Sequence, residues 1–580
     1  MSSKRIALIL SLLGCVSCIG INQELGQDFL ATNMQYDIKT DGFAITDVQM
    51  DYPDGLSGYS LYRFTFGAIN DGYFGLTTRS TAFTLIPVSD SLDFGKKGTQ
   101  VVRQFHFAGV PDTTSCVYSN QKNILQNVHV YALSEAMDFT KATPELKVDY
   151  SGRISEGIPI YNGTDSLSFN FTKNFAALYI EGYPAYTAKV GKIIEEYKKA
   201  HPEMEKAELE SKVDSIKIKT YQSAFPGIFI KTDDPVGEGG RINMFKLPVD
   251  VSSSSIYGSY AELKFTAEYE GKGQVDTSFI FYLGAAKIYN MKGVTSTSVA
   301  EYPQVAYNLC TQSSNSFKKA ATDEIYFEGG MGVKPVIKAK ALRDKILADM
   351  AAAGVDPSHV VVNKATIILP FDYTTDLDDM IWYPDAVGPT CRIKNSDGSI
   401  TFAGISDSSS SDENQGKVGR YEKYCSYSPD ITYHVQELIG LKDESKVENY
   451  DIWLLAMADE VMVKRSSTSN SSYSDYLQQL AYASYYNSMY NGYGGYGGYG
   501  YGGYGYGGYG GYGYGGYGDY YNNYYNYAML SAMYSQNTSD TSVSTQSMMD
   551  SHRYYRGILA GPGAAGRKPE FRIVYSVSRD

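Results

Sequence analysis

The chain has 580 residues, of which 43% are hydrophobic, and a formal net charge of −13 at pH 7. This length allows more than one hydrophobic core, so we expect two or three domains. The acidic balance argues against nucleic acid as a partner, because binding to phosphates requires clustered Lys and Arg.

The first residues have the layout of a bacterial lipoprotein signal peptide. Lys4 and Arg5 precede a largely apolar run over residues 6–13, which is too short to span a bilayer as a mature helix. Cys15 and Cys18 then compete as the lipidated residue. Cleavage before Cys18 places the whole apolar run within the signal peptide. It also leaves an even number of cysteines downstream of Cys18, which suits pairing in an oxidising compartment. We therefore predict a signal peptide over 1–17 and lipidation of Cys18, with Cys15 as the alternative.

With a lipid anchor, the protein is expected to be bound to a membrane, which is its first predicted partner. Several acyl chains together hold a protein on a bilayer, and no later segment has the apolar stretch of about twenty residues that a spanning helix needs. We expect the outer membrane. Residues 19–23 contain no acidic run of the kind that would favour export to the cell surface, so the periplasmic face is slightly favoured.

The next part of the chain predicts a linker over 18–58 and a first β-sandwich domain over 59–295. Apolar and polar residues alternate from about Tyr59 and again over 167–172, as in half-buried strands. Residues 263–269 and 279–283 suggest an antiparallel hairpin whose Glu262, Lys264, Thr266 and Glu268 face water. A helical insert is expected over 189–216, with Pro202 marking a restart.

A second β-sandwich domain is expected over 296–580. It opens with a short helix whose apolar residues lie between Leu342 and Met350 and which Gly354 should end. Long apolar or alternating runs over 360–370 and 571–577 predict strands. The whole pattern favours the mainly β class, with antiparallel, jelly-roll-like β-sandwich domains and a small helical insert.

A Tyr/Gly-rich block over 466–566 interrupts this second domain. From Asn491 its centre has glycine at every second or third position, which costs too much backbone entropy for a packed core, so we predict a disordered insert. The block is either a tolerated surface insertion or a set of Tyr rings that stack weakly on sugars, on peptidoglycan or on one another. Its repeat contains no Arg, which argues against RNA.

No arrangement of residues predicts a catalytic centre, so the catalytic residues stay unknown. The six His residues are scattered without a zinc-type spacing, and His106 and His129 have the positions of ordinary sheet residues, so we predict no metal and no cofactor. Asp376, Asp378 and Asp379 could bind calcium or supply a carboxylate pair, although acidic loops are commonly just solvated.

Two further pairs of residues carry site predictions. Trp382 and Tyr383 follow the acidic cluster and would suit a sugar ring if exposed, although a core position is the simpler interpretation for large aromatic residues. Cys391 and Cys425 are near each other in sequence, which suggests a disulfide.

Several segments, taken in order, carry a resemblance to one family. They are Glu24-Leu25-Gly26, Gly72-Tyr73-Phe74-Gly75 with the strand that follows, and residues 225–230, 263–283, 325–334 and 363–370. In this order they resemble the Bacteroidota lipoproteins catalogued as domain of unknown function 4270. The resemblance covers most of the mature chain and implies a secreted, lipid-anchored, mostly β protein. It brings no established activity or catalytic residue to transfer, and the Tyr/Gly block departs from the family.

Two functions from different classes are compatible with these features. The first is a non-enzymatic binding or scaffolding lipoprotein of the outer membrane, whose loops contact a glycan or an envelope protein complex. The second is a hydrolase acting on envelope polysaccharide, with Asp376 and Asp379 as the acid and base.

Overall fold

The fold is described by a computed structural model. It describes residues 36–53, 58–60, 63–88, 92–112, 116–117, 124–137, 146–247, 250–251, 256–284, 300–301, 305–312, 320–372, 382–384, 386–394, 400–405, 425–464, 542–550 and 553–578.

The protein is mainly β, as the alternating sequence pattern predicts, and every strand pairing among the described residues is antiparallel. The strands up to residue 284 are β1 (Tyr36–Ala44), β2 (Val48–Asp51), β3 (Tyr59–Ser60), β4 (Arg63–Asp71), β5 (Gly75–Pro87), β6 (Val101–Gly109), β7 (Cys116–Val117), β8 (Gln126–Leu133), β9 (Val148–Arg153), β10 (Ile160–Tyr161), β11 (Leu167–Asn170), β12 (Ile228–Thr232), β13 (Gly239–Lys246), β14 (Asp250–Val251), β15 (Ile256–Tyr257), β16 (Tyr260–Tyr269) and β17 (Gly273–Gly284). The later strands are β18 (Ala300–Glu301), β19 (Ala306–Gln312), β20 (Glu324–Glu328), β21 (Lys334–Ile337), β22 (Val360–Pro370), β23 (Ala386–Lys394), β24 (Ile400–Gly404), β25 (Ser426–Tyr427), β26 (Ile452–Lys464), β27 (Ser542–Met549), β28 (Arg556–Ala560) and β29 (Glu570–Ser578).

The largest sheet has fourteen strands and curls into a half-barrel. Its main path runs β10-β8-β12-β5-β17-β16-β6-β11, and β3, β4, β7, β9, β13 and β19 pair alongside this path. The core against this sheet is rich in aromatic rings; Phe64 and Phe245, for example, stack with their centroids 4.9 Å apart. Aromatic residues suit such a sheet because each ring buries a large apolar area on a pleated surface.

The predicted hairpin is confirmed as β16 and β17, in register from Ala261 opposite Phe281 to Tyr269 opposite Gly273. Lys264 and Glu268 are exposed and Glu262 is half-buried, but the prediction for Thr266 is wrong, since this residue is only 6% exposed. Its neighbours Phe265 and Ala267 point to the opposite face and are buried too. Both faces of the sheet are therefore covered at this point, which a period-two pattern does not reveal.

Two helices form the insert between β11 and β12, and both extend beyond the predicted 189–216. They are α1 (Lys173–Ala200) and α2 (Lys206–Ala224), and the predicted restart at Pro202 is confirmed. Thr172 caps α1 by accepting a hydrogen bond from Phe175 N at 3.3 Å. The buried residues of α1 recur every three or four positions and pack on the sheet: Phe175, Ala176, Tyr179, Ile180, Tyr183, Tyr186 and Val190.

The later part of the chain builds a second hydrophobic core between smaller sheets. A four-stranded sheet has the order β1-β29-β22-β25, a six-stranded sheet has the path β2-β21-β26-β23-β24 with β27 paired to β26, and β20 pairs with β28. The helices here are α3 (Ala339–Ala352), α4 (Thr432–Gly440) and the 3₁₀ turns Pro357–His359 and Glu444–Tyr450. Gly354, at φ +68°, follows α3 as predicted, because glycine tolerates this left-handed conformation after a helix.

Two of the predicted boundaries need correction. Within the linker predicted over 18–58, β1 pairs along its whole length with β29, the last strand, and β2 pairs with β21. Within the insert predicted over 466–566, β27 pairs with β26 and β28 with β20, while the Tyr/Gly centre lies outside the described residues. Both segments supply strands to sheets whose other members are distant in sequence, so local composition did not reveal them.

Candidate functional site

The predicted lipidation and acidic sites lie outside the described residues. Cys15 and Cys18 fall within 1–35, and Asp376, Asp378 and Asp379 fall within 373–381. These predictions therefore stay predictions.

Trp382 and Tyr383 do not form an exposed pair of rings. Tyr383 is 6% exposed, its hydroxyl donates to Ile558 O at 2.8 Å, and its ring stacks on Phe371 with centroids 4.6 Å apart. Trp382 is half-buried with its ring edge against Tyr554. The core interpretation is correct for Tyr383, and its predicted contact with a glycan is wrong because its ring is enclosed by protein.

The predicted disulfide is not formed, since Cys391 is a free thiol. Cys391 is buried in β23 of the six-stranded sheet, where its Sγ lies 3.8 Å from His434 Nδ1. Cys425 precedes β25, and its carbonyl accepts a hydrogen bond from Phe371 N beside the four-stranded sheet. The two residues thus lie on different sheets, although they are near in sequence.

Two buried groups of titratable residues are closed to substrates. Burial lowers the pKa of His434 to about 4 and raises the pKa of Cys391, so neither the imidazolium nor the thiolate of a reactive Cys–His pair is favoured. Glu328 and Lys334 are 2% and 1% exposed, and burial raises the pKa of Glu328 and lowers that of Lys334. With no access from solvent, these groups are structural.

A solvent-facing groove of about 550 Å³ lies at the edge of the large sheet, next to β8 and β9. The side chains of β8 alternate, so that Val128 and Val130 enter the core while His129 and Tyr131 face the groove. The segment that follows β9 continues along β8, where Ile154 N donates to Val130 O and Val128 N donates to Pro159 O, and it supplies part of the lining. The residues that line it are His129, Tyr131, Tyr150, Ser151, Arg153, Ser155, Glu156, Gly157, Ile158 and Thr172.

The aromatic part of the groove is centred on Tyr150, which is 57% exposed. Its ring meets the ring of Tyr131 edge to face at 5.1 Å between centroids and that of Phe229 at 6.4 Å. The ammonium of Lys231 lies 4.9 Å from the centre of the Tyr150 ring. Three neighbours thus fix the orientation of a ring whose surface is more than half in water.

His129, which lines the groove, belongs to a hydrogen-bonded set with Asn127 on the same strand and with Asp233, which directly follows β12. His129 Nε2 lies 2.7 Å from Asp233 Oδ1, and Asn127 Nδ2 donates to Asp233 Oδ2 at 2.8 Å. The hydrogen bond from Asn127, followed by that from His129, holds the pKa of Asp233 below its ordinary value. Asp233 is therefore a carboxylate at neutral pH with a fixed orientation.

The charges around the groove are of both signs. Arg153 and Glu156 line it, and Lys231 and Asp233 stand on or just after the neighbouring strand β12. These four residues supply two cations and two anions. The surface therefore has polar groups for hydrogen bonding without a strong field of one sign.

Sequence reasoning places His129 correctly on a strand but does not single out the groove. One sequence feature could have indicated the groove. In the order Asn127-Val128-His129-Val130-Tyr131, the outward positions of one strand carry three residues able to form hydrogen bonds. Tyr150, Arg153 and Lys231 join this row only through strand pairing, with Lys231 opposite His129 and Arg153 opposite Tyr131.

Among the described residues, no helix is long and apolar enough to cross a bilayer, and no group of three or more His, Cys, Asp or Glu residues could hold a metal ion. No family model, no curated protein and no solved structure matches this chain.

Proposed function

We propose that the protein is a lipid-anchored lipoprotein of the outer membrane that binds an envelope component without catalysing a reaction. Three features support the anchor: Lys4 and Arg5, the apolar run after them, and Cys18. The resemblance to the Bacteroidota lipoproteins of domain of unknown function 4270 supports the same location. The periplasmic face is slightly favoured by the lack of acidic residues over 19–23.

The observation that carries the binding role is the groove beside β8 and β9. It combines an oriented, exposed aromatic ring, Tyr150, with a hydrogen-bonded His129–Asp233 pair on a rigid sheet. Ligand sites commonly consist of aromatic surface with a few fixed polar groups. A site that stands on paired strands keeps this geometry without a ligand, which lowers the entropy lost on binding.

Binding is favoured over hydrolysis by the state of Asp233, the carboxylate that pairs with His129 beside the groove. A glycosidase needs one carboxylic acid whose pKa is raised so that it can protonate the leaving group. Asp233 has the opposite shift, since two hydrogen bonds stabilise its ionised form. This carboxylate suits the acceptance of hydrogen bonds from a bound molecule.

The anchor is tested by cell fractionation of two cysteine variants. Cys18→Ser should leave the protein unlipidated and release it from the outer membrane fraction, while Cys15→Ser should fractionate like the wild type. The opposite pattern would assign lipidation to Cys15. Equal membrane association of both variants would contradict a lipid anchor on either residue.

The binding role is tested by purification of the lipidated protein from detergent-extracted envelopes, with mass spectrometry of what co-purifies. Tyr150→Ala should lose a stoichiometric envelope component that the wild type retains. The matched control is Tyr73→Ala, because Tyr73 is 59% exposed but lies in the turn between β4 and β5. A set of co-purifying components that is identical in all three proteins would refute the groove as the binding site.

A further inference from the structure

We infer that the groove beside β8 and β9 binds an uncharged saccharide, a proposal that rests on the binding role above and gives its ligand a chemical class.

Lys231 covers one face of the Tyr150 ring, so a pyranose would stack on the opposite face. The face of an aromatic ring carries partial negative charge, and the axial C–H groups of a sugar carry partial positive charge, so the two attract when stacked. Tyr131 and Phe229 both meet Tyr150 in edge-to-face geometry, which holds the ring in place while 57% of the residue stays exposed. A flat ring that is fixed before binding loses little entropy when a ligand stacks on it.

The polar groups lie next to that ring and are of the kinds that bind hydroxyl groups. Asp233 is ionised, oriented by Asn127 and His129, and its side chain is 58% exposed, so it retains capacity to accept hydrogen bonds. Arg153 and Glu156 add planar donor and acceptor groups on the other side of the groove. A sugar hydroxyl both donates and accepts, so it can bond to both the carboxylates and the guanidinium.

The charge of the site favours an uncharged ligand. Arg153 and Lys231 are balanced by Glu156 and Asp233, and the whole chain carries a net charge of −13. A polyanionic glycan would meet no excess of cations in the groove and would be repelled by the protein as a whole. The mixed surface also offers an apolar edge at Ile158, which is 43% exposed.

The test measures the sugar that the protein carries from its own envelope. Lipidated wild type, Tyr150→Ala, Tyr150→Phe and Tyr73→Ala are purified from detergent extracts, digested with protease and hydrolysed, and neutral sugars, uronic acids and phosphate are quantified. We expect neutral sugar to co-purify with the wild type, Tyr150→Phe and Tyr73→Ala. With Tyr150→Ala it should fall about tenfold, as expected for loss of one stacking contact.

Three results would overturn the inference. The first is a sugar content that does not depend on Tyr150, and the second is a Tyr150-dependent ligand rich in uronic acid or phosphate. The third is a Tyr150-dependent envelope protein without carbohydrate, which would leave the binding role intact and remove only the saccharide. If no component of any kind depends on Tyr150, the proposed function fails as well.

Discussion

Arg556 Nη1 lies 3.0 Å from Asp71 Oδ2. This buried ion pair joins β28 to β4 of the fourteen-stranded sheet. The two side chains are 7% and 1% exposed. Asp71 also accepts hydrogen bonds from Tyr73 N and Phe74 N through its other oxygen, so its carboxylate is held at the turn between β4 and β5. Arg556, at the start of β28, lies over the ring of Phe74 as well.

The first prediction concerns this ion pair. Asp71→Asn keeps the shape of the side chain but removes the carboxylate charge opposite Arg556. Breaking a buried ion pair by removing one of its charges should cost about 3–5 kcal/mol in the free energy of unfolding. Urea denaturation measures the effect. Glu268→Gln is the control, because its ion pair with Lys96 is solvent-exposed and should contribute less than about 1 kcal/mol. Equal losses in the two variants would mean that the buried ion pair contributes no more to the free energy of unfolding than the exposed one.

A second prediction concerns Gly163, which lies against the fully buried Arg241. The guanidinium donates to Asn243 Oδ1 at 2.7 Å and to Ile124 O at 2.8 Å, so it cannot move aside easily. A Cβ at Gly163 would lie 2.5 Å from Arg241 Cζ, and the φ of Gly163 is +86°. Gly163→Ala should therefore destabilise the protein by about 2–4 kcal/mol, from overlap and backbone strain together.

Gly237→Ala is the matched control for Gly163→Ala. Gly237 has a φ of +84°, but a Cβ there would meet no atom within 4 Å. Only the backbone strain remains, so the loss should be about 1 kcal/mol. The difference between the two urea midpoints measures the cost of steric overlap between the new Cβ and Arg241. Midpoints that coincide would show that the guanidinium moves aside without a loss of stability.

The parts of the fold that sequence predicts well are those whose pattern is local. The hairpin of β16 and β17, the strands β22 and β29, and the end of α3 at Gly354 all follow from alternation or helical spacing within a short window. The helical insert is predicted too short, because the aromatic face of α1 is interrupted by Gly182 and Pro184, which are typical of helix ends.

The parts that sequence misses depend on contacts between distant segments. β1 belongs to the second core because it pairs with β29, and no local feature of residues 36–44 indicates this. The groove is also not visible in the sequence. Tyr150, His129 and Asp233 come from three separate segments that meet only when β8 pairs with β9 and β12. The two aromatic residues chosen from sequence, Trp382 and Tyr383, were adjacent in sequence to acidic residues, which says nothing about exposure.

A third prediction concerns the reactivity of Cys391. Burial raises the pKa of this thiol, and the thiolate is the nucleophile, so Cys391 should resist iodoacetamide in the native protein. In urea it should be alkylated together with Cys425, and peptide mass spectrometry reports both. A peptide that links Cys391 to Cys425 would instead support the disulfide expected from sequence and contradict the free Cys391 thiol of the structure.

The last prediction concerns the pH dependence of stability through His434 on α4. The ring is fully buried; its Nε2 lies 3.0 Å from Tyr450 O, and its Nδ1 faces Cys391 Sγ. Burial lowers the pKa of His434 to about 4, below the value of about 6.5 expected in the unfolded chain. The folded protein therefore accommodates the neutral ring and disfavours the protonated one. Above pH 6.5 the ring is neutral in both the folded and the unfolded chain, so burial of His434 costs no stability there.

Stability is lost as the pH falls from 6.5 towards 4, because the unfolded chain takes up the proton first. Between pH 7.5 and pH 5 the loss should be about 2 kcal/mol. His434→Gln, whose amide can still donate to Tyr450 O, should remove this part of the pH dependence in urea titrations at the two pH values. His201→Gln is the control, since it makes the same substitution at an exposed residue at the end of α1. If His434→Gln and the wild type lose the same stability between these pH values, protonation of His434 does not limit stability in this range.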